Sequence, residues 1–480
     1  MTDLLLDPLI WLIVLPLAWA TLAFMLGTGR GVIPALVGLV LQVCCAVLLA
    51  IDIANQGSRT HVVGGWEAPL GILLVADGLS AVMLLLTQAV ALLIAVYARS
   101  YFRQGENPWF WPLTGFLLAG MNALFLSGDL FNLYVTLELV GLSAVGLVAG
   151  GGKAAQVAAA LRYLLASLVG SGAYLLGVAL LYGTYGTISA AQLAQLITPS
   201  APLAVGLAAI LMFTGLALKT ALFPLHYWLP PAHGDSPAPV SALLSALVVK
   251  SSFYLFLRLW IGPFLLYSQQ AGWLPALFGS IAIFWGSWMA IRADRLKMLV
   301  AYSTVAQLGY LFLIFPLLGT GSMALQAGIL QLTSHGFAKG AMFLAAGTLI
   351  KLGGNERVLG ASHAAHLLPV SLFAFALAGV TLIGLPPSGG FLAKLLLIDA
   401  ALAAGQVWIA LVAIIGGLLA SVYVFRVLRL AFREQIDGDY HPPLRASALT
   451  EWVAFTLALL SILLGLFAMP LFILLEGIAG

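Results

Sequence analysis

The stretch Thr214 to Lys250, TGLALKTALFPLHYWLPPAHGDSPAPVSALLSALVVK, decides how the chain is read. Lys219 and Lys250 each lie in an apolar helical run, and Pro224, Pro230, Pro231, Pro237 and Pro239 stand between them with Gly234 and a polar group. An ionisable side chain at the bilayer centre costs about 2.5–3.5 kcal/mol on insertion scales. Irregular backbone at that depth is tolerated only where it is buried in protein or faces a water-filled cavity. A lysine beside a proline-broken helix therefore points to half of an ion path, with the rest of the chain as its scaffold.

Composition sets the class. The 480 residues are 62% hydrophobic and 8% charged, against about 25% charged in soluble proteins. A polytopic, all-α membrane protein is expected and a soluble enzyme is excluded. The net charge of +3 implies no nucleic-acid partner, because the positive residues flank apolar runs. Cys44 and Cys45 are adjacent and give neither a disulfide framework nor a metal-ligand spacing. No phosphate loop, dinucleotide fingerprint or nucleophile elbow occurs, so no cofactor or metal is expected. The first residues carry Asp3 and Asp7 rather than a basic cluster, which predicts a retained helix instead of a cleaved signal.

A spanning helix needs about 20 apolar residues. Fourteen candidates follow: 7–27, 31–52, 75–98, 109–128, 129–150, 158–182, 202–223, 238–262, 273–292, 298–318, 323–350, 368–402 (broken near Pro386), 407–430 and 451–474. Loops after odd-numbered helices hold Arg30, Arg99, Arg103, Lys153, Arg292, Arg295, Lys297, Lys351, Arg357, Arg426, Arg429, Arg433 and Arg445, while even loops hold little beyond Arg59. Basic loops stay in the cytoplasm, so both termini are expected outside. Glu67, Asp77 and Asp235 read as helix caps in the first place and as partner contacts in the second.

Helices 4–8 (109–262) and 9–13 (273–430) make two units of five, preceded by 1–108 and followed by 431–480. Each unit has a helix interrupted at Leu-Pro-Pro: Leu229, Pro230, Pro231 in helix 7 and Leu385, Pro386, Pro387 in helix 12. Paired proline-interrupted segments point to an inverted-repeat transporter with its site at the midplane. Five is odd, so the second unit starts from the opposite side of the membrane.

Five charged residues lie well inside the spans: Glu138, Lys219, Lys250, Lys339 and Lys394. Unpaired, they would cost on the order of 12–17 kcal/mol. Glu138 is expected to pair with Lys219, since an opposite charge within about 4–6 Å favours a charged lysine that burial disfavours. The blander reading of Glu138 is a tie between two helices, and of Lys219 a snorkelling side chain. Pro224 cannot donate to the carbonyl of residue 220, so the backbone should open one turn past Lys219. Lys250 lies about 20 Å along helix 8, near mid-depth. Gln331, Ser334, His335 and Lys339 recur at spacings of three and four on helix 11. Helix 10 adds Ser303, Gln307 and Tyr310, and helix 6 adds Tyr163, Ser167, Ser171 and Tyr174. One such stripe is usually helix-packing glue; three beside buried lysines suggest walls of a hydrated passage. Unperturbed histidine titrates nearest neutral pH, which suits His335 to a relay. Lys394 follows the second break and reads as the exit, or more blandly as a lysine near a helix end that snorkels outward. His226 and His233 either line an access channel or bond freed carbonyls.

At LYVTLELVGLSAVGLVA, the stretch quoted first, SHGFAKGAMFLAAG and GLPPSGGFLAK, the chain resembles the antiporter-like subunits of respiratory complex I, membrane-bound hydrogenases and Mrp-type cation/proton antiporters. The match spans roughly residues 70–430. It implies fourteen helices, two inverted five-helix repeats with broken helices 7 and 12, and a functional set of Glu138, Lys219, Lys250, His335, Lys339 and Lys394. WEAPLGILLVADGLSAVML (66–84) looks most like the D-type subunits of Mrp antiporters. The final apolar run ends with the chain, which disfavours the largest complex I subunit with its long lateral helix. The resemblance implies a bacterial or archaeal plasma-membrane protein. It also implies other membrane subunits as partners, with protons and monovalent cations as cargo. The expected activity is proton translocation in a multisubunit Na⁺(K⁺)/H⁺ antiporter. The alternatives are a redox-driven pump of the complex I or hydrogenase kind, and a structural subunit with silent ion pairs.

Overall fold

Side-chain caps decide where several helices begin. Asp77 accepts from the Ser80 N–H at 3.0 Å while the Ser80 hydroxyl accepts from the Asp77 N–H at 2.8 Å, and helix 3 starts at Gly78. Asp129 accepts from the Asn132 N–H at 2.7 Å and starts helix 5. Ser388 accepts from the Phe391 N–H at 3.2 Å and starts the second half of helix 12. Each supplies an acceptor to an N–H that has no partner inside its own helix. The structure, a computed structural model, describes residues 7–27, 29–66, 71–103, 105–353, 356–358, 367–432 and 447–476. Asp3, Glu67, Arg433 and Arg445 lie outside the described residues.

The described chain is helical apart from a two-stranded hairpin, Arg59–Val62 with Leu73–Ala76, between helices 2 and 3. Among the described residues, eleven helices are long and apolar enough to cross a bilayer. They are Pro8–Leu26, Val32–Gln56, Gly78–Tyr101, Leu130–Ala149, Ala154–Tyr185, Leu203–Thr220, Ala238–Ile261, Trp273–Arg292, Leu296–Leu317, Val407–Ala431 and Ala448–Leu466. Three more complete the fourteen: helix 4 (Phe110–Leu126), helix 11 (Ser322–Gly353) and the two halves of helix 12 (Pro369–Ile383 and Gly389–Ala403). The packing order of the first unit recurs in the second: helix 4 lies on 5 as 9 lies on 10, 5 on 6 as 10 on 11, and 6 on 7 as 11 on 12. Helices 8 and 10 are almost wholly buried; the outer faces of helices 2 and 13 are apolar and exposed.

Even and odd loops gather at opposite ends. At one end, the Gly128 N–H donates to the Leu73 carbonyl (2.9 Å) and the Leu130 N–H to the Ile188 carbonyl (2.9 Å), tying the loops after helices 2, 4 and 6. At the other, Arg295 pairs with Asp235 (2.9 Å) and Glu356 (2.9 Å), joining the loops after helices 7, 9 and 11. Asp235 thus holds an ion pair and does not cap a helix, whereas Asp77 caps helix 3 and also receives Arg258.

The break in helix 7 is not where Leu-Pro-Pro suggests. The first half ends at Thr220, and Leu229, Pro230 and Pro231 open the second half, Leu229–Asp235. Proline at the first helical positions gives up an N–H that would be unpaired anyway, so Leu-Pro-Pro starts a helix here. The irregular segment is 221–228, around Pro224, one turn past Lys219 as Pro224 requires. Its counterpart in helix 12 is 384–388, which does contain Leu385, Pro386 and Pro387. Both first halves end in a left-handed residue, Ala221 (φ 59) and Gly384 (φ 87). Helix 14 also differs from expectation: it stops at Leu466, and a separate short helix, Met469–Leu475, follows.

Candidate ion path

Lys219 occupies the last turn of the first half of helix 7, buried and facing helices 5 and 6. Its Nζ donates to Glu138 Oε1 at 3.2 Å and to Ser167 Oγ at 2.9 Å. Ser171 donates to the same Glu138 oxygen. Small residues bring the helices this close: a Cβ on Gly215 would sit 2.3 Å from the Gly170 carbonyl oxygen, and one on Gly141 would sit 2.6 Å from Ser167 Oγ. The carbonyl of Leu218, at the end of the first half, accepts from the Ala221 N–H at 3.1 Å and from Trp228 Nε1 at 2.8 Å, and the Trp228 ring stacks on Tyr163 at 4.2 Å. Of the helix 6 stripe, Ser167 and Ser171 thus meet the Glu138–Lys219 pair, whereas Tyr174 donates to the Leu130 carbonyl at 3.3 Å.

Lys250 is fully buried in helix 8, and its Nζ donates to the carbonyl of Ser245. That carbonyl lies in a single turn of π-helix, Leu244–Val248. Such wider turns are frequent at functional sites, and nothing in the sequence announces this one. Lys339, also fully buried, crosses to helix 10 and donates to the Val300 carbonyl at 2.9 Å and to Ser303 Oγ. Lys394, in the second half of helix 12, reaches back over the break to the carbonyls of Leu382 (2.6 Å) and Ile383 (3.0 Å), with its Nζ 4.4 Å from the centre of the Tyr310 ring. Among the described residues, Lys250, Lys339 and Lys394 have no carboxylate partner. Consecutive lysines stand on helices in direct contact: 7 on 8, 8 on 11, 11 on 12.

His335 is buried on helix 11, one turn before Lys339. Neither ring nitrogen has a partner among the described residues, and Lys250, Lys339 and Lys394 all lie within its electrostatic reach. The helix 11 stripe does not act as one file. Gln331 donates to Gln307 (3.0 Å) and Lys339 to Ser303, both toward helix 10, but the Ser334 hydroxyl returns to its own Leu330 carbonyl at 2.6 Å. On helix 10, Gln307 donates to the Leu382 carbonyl at 3.0 Å and Tyr310 to the Ala413 carbonyl at 3.1 Å. A small cavity of about 10 Å³, near the minimum for one water, lies between Lys394, Tyr310 and the unpartnered Gln331 Oε1. His233 does not bond the freed carbonyls: its ring lies edge-on to Phe343 at 5.5 Å, and neither nitrogen has a partner among the described residues. His226 stacks on Phe223 inside the first break.

A family model described as NADH:quinone oxidoreductase/Mrp antiporter, TM, matches residues 127–420, from the cap of helix 5 to helix 13. The chain belongs to this family. Its curated relatives include NADH-quinone oxidoreductase subunit N of Desulforudis audaxviator, 37% identical over 91% of this chain and 88% of the relative. They also include the D-type subunit of the Na⁺/H⁺ antiporter of Alkalihalophilus pseudofirmus, 30% identical over 91% of this chain and 88% of the relative. Among solved structures, a chain of the Mrp complex from a Dietzia species superposes with a TM-score of 0.91 at 28% identity, covering 98% of this chain and 96% of that one. A chain of the membrane-bound sulfane sulfur reductase, an archaeal respiratory membrane complex, gives 0.89 at 26% identity, covering 98% and 97%. Fourteen helices with breaks in helices 7 and 12 are what the family resemblance implied.

Proposed function

We propose that this chain is the proton-translocating subunit of a multisubunit Na⁺(K⁺)/H⁺ antiporter of the Mrp type. The observation that carries the reading is the contrast along the lysine series. Lys219 alone is charge-paired, to Glu138 at 3.2 Å, while Lys250, Lys339 and Lys394 are held by carbonyl and hydroxyl dipoles. In this reading a proton enters near the first break and rests on Lys219 under the control of Glu138. It then passes to Lys250, moves by way of His335 and Lys339 to Lys394, and leaves by the opposite side. The membrane potential supplies about 2.3 kcal/mol per charge per 100 mV, which can drive a monovalent cation the other way. The odd loops face the cytoplasm, both termini face outward, and residues 109–262 and 273–430 act as the two repeats. Other membrane subunits surround the chain, as in the complexes its structural neighbours come from.

A second reading is a pumping subunit of a redox-driven complex, favoured by the 37% identity to the quinone oxidoreductase relative. Inverted vesicles from cells expressing the chain with its neighbouring subunits separate the two. Na⁺-dependent proton movement that disappears in Lys219→Ala, with the assembly intact, supports the antiporter. Proton pumping that needs a reductant and ignores Na⁺ moves the assignment to the redox complex. Wild-type rates in an assembled Lys219→Ala complex sink the relay in either case.

A further inference from the structure

We infer that the lateral cavity formed by helices 7, 8 and 9 is a binding site for one acyl chain of a membrane lipid. Its volume is ≈ 720 Å³, within the range of about 300–1,000 Å³ usual for ligand pockets. One wall is the irregular segment of helix 7 itself, including Phe223 and Pro224. A second is aromatic: Phe213 packs on Phe256 at 4.6 Å and on Trp260 at 5.2 Å. Pro275 and Phe278 of helix 9 close the third.

The cavity opens sideways. Ile210, Leu274 and Phe278 at its mouth are exposed, and a Cβ on Gly206 would meet nothing within 4 Å. All three contributing helices are long and apolar enough to cross a membrane, which places this mouth at hydrocarbon depth. Apart from Thr214, the polar side chains of the lining gather at one end: Tyr267 and Gln270 on the short helix Leu265–Ala271 that joins helices 8 and 9, and the indoles of Trp260 and Trp273 on either side of it. That connection lies at the end of the spans, where aromatic side chains with a polar tip sit at headgroup level. The polarity therefore runs from a wet rim to a dry interior, the gradient of a lipid with its ester end at Tyr267 and its chain against Pro224. An empty apolar cavity forfeits dispersion contacts, and lipid tails are the solvent at this depth. A helix of a partner protein fits worse: with a diameter of about 10–12 Å and a 5.4 Å pitch, one turn takes roughly 400–600 Å³, so the cavity holds less than two turns. The bound chain braces the backbone of 222–225, and its presence is read without any transport assay.

The test uses the assembled complex in nanodiscs containing phosphatidylglycerol with a diazirine at mid-chain, followed by photolysis and peptide mapping. Adducts on 206–225 and 256–278 are expected several-fold above those on Leu411 and Leu418, exposed apolar residues of helix 13. Gly206→Trp, which grows into the mouth, brings them down to that background. Gly172→Trp on helix 6, equally open but outside the cavity, leaves them unchanged. Equal labelling of the cavity and helix 13, or labelling that survives Gly206→Trp, overturns the site. Cross-links from the cavity to a partner protein in place of lipid overturn it too. None of these outcomes depends on whether Lys219 carries protons.

Discussion

The two broken helices hold their lysines in different ways. At the first break Lys219 lies before the interruption and meets a carboxylate, Glu138, with Ser167 as its second partner. At the second, Lys394 lies after the interruption and meets two backbone carbonyls and the face of Tyr310. The same device, a helix stopped at a left-handed residue, frees backbone groups in both. One ammonium is held by a charge on another helix; the other is held by backbone dipoles of its own helix. For the proposed relay, this contrast assigns switching to the first break and holding and releasing to the second.

The sharpest way to break this comparison is to remove each lysine. Lys219→Ala is expected to abolish transport and to destabilise the protein by about 3 kcal/mol, the lower end for breaking a buried pair, because Glu138 keeps some exposure. Glu138→Ala with Lys219→Ala should recover most of that stability and none of the transport. Thermal unfolding in detergent, read beside vesicle assays, tests both. An additive double mutant would show that the two side chains are not coupled.

Lys394→Met should also stop transport, with a smaller stability loss of about 1–2 kcal/mol. No carboxylate is stranded, and the Leu382 carbonyl keeps its bond from Gln307. A loss as large as that of Lys219→Ala would mean that Lys394 has a charged partner.

The stops themselves give a third comparison with opposite signs. Gly384→Ala should cost about 1–2 kcal/mol for the left-handed conformation, and its Cβ would press on Lys394 Cδ at 2.7 Å. Ala221→Gly relieves the same conformation in helix 7 and should stabilise by up to about 1 kcal/mol. Melting temperatures that move in the same direction for both would contradict the equivalence of the two breaks.

Much of this is legible in the sequence. Charges inside apolar runs stand out because so few residues are charged, and a proline forces a backbone opening wherever it falls. What stays hidden depends on groups without a sequence signal. Lys339 and Lys394 are held by the carbonyls of Val300, Leu382 and Ile383, and every residue has a carbonyl. Pro230 and Pro231 mislead because the same dipeptide that breaks a helix also begins one. Nor does any period announce the buried chain in which Trp19 donates to Gln42 (2.9 Å), Gln42 to Gln88 (3.1 Å) and Gln88 to Asn122 (2.7 Å), since its members stand on helices 1 to 4. Each of those groups is satisfied by the next, which marks it as a tie between helices, whereas the ring nitrogens of His335 have no such partner among the described residues.

The finest comparison removes one hydroxyl beside each lysine, a direct partner at the first break and an indirect one at the second. Ser167→Ala takes one acceptor from Lys219 but leaves Glu138, which still receives Ser171. Tyr310→Phe keeps the ring under Lys394 and removes only the hydroxyl that bonds Ala413. Each change should cost about 1 kcal/mol, the usual net worth of one hydrogen bond. Their effects on transport should differ. Ser167 touches the ammonium whose proton is governed by Glu138, so Ser167→Ala should shift the pH dependence of transport. The Tyr310 hydroxyl bonds helix 13 and not Lys394, so Tyr310→Phe should change stability and leave the pH profile in place. Measuring both profiles in the same vesicles decides the matter: a shift for Tyr310→Phe as large as that for Ser167→Ala would place the control of protonation at the second break as much as at the first.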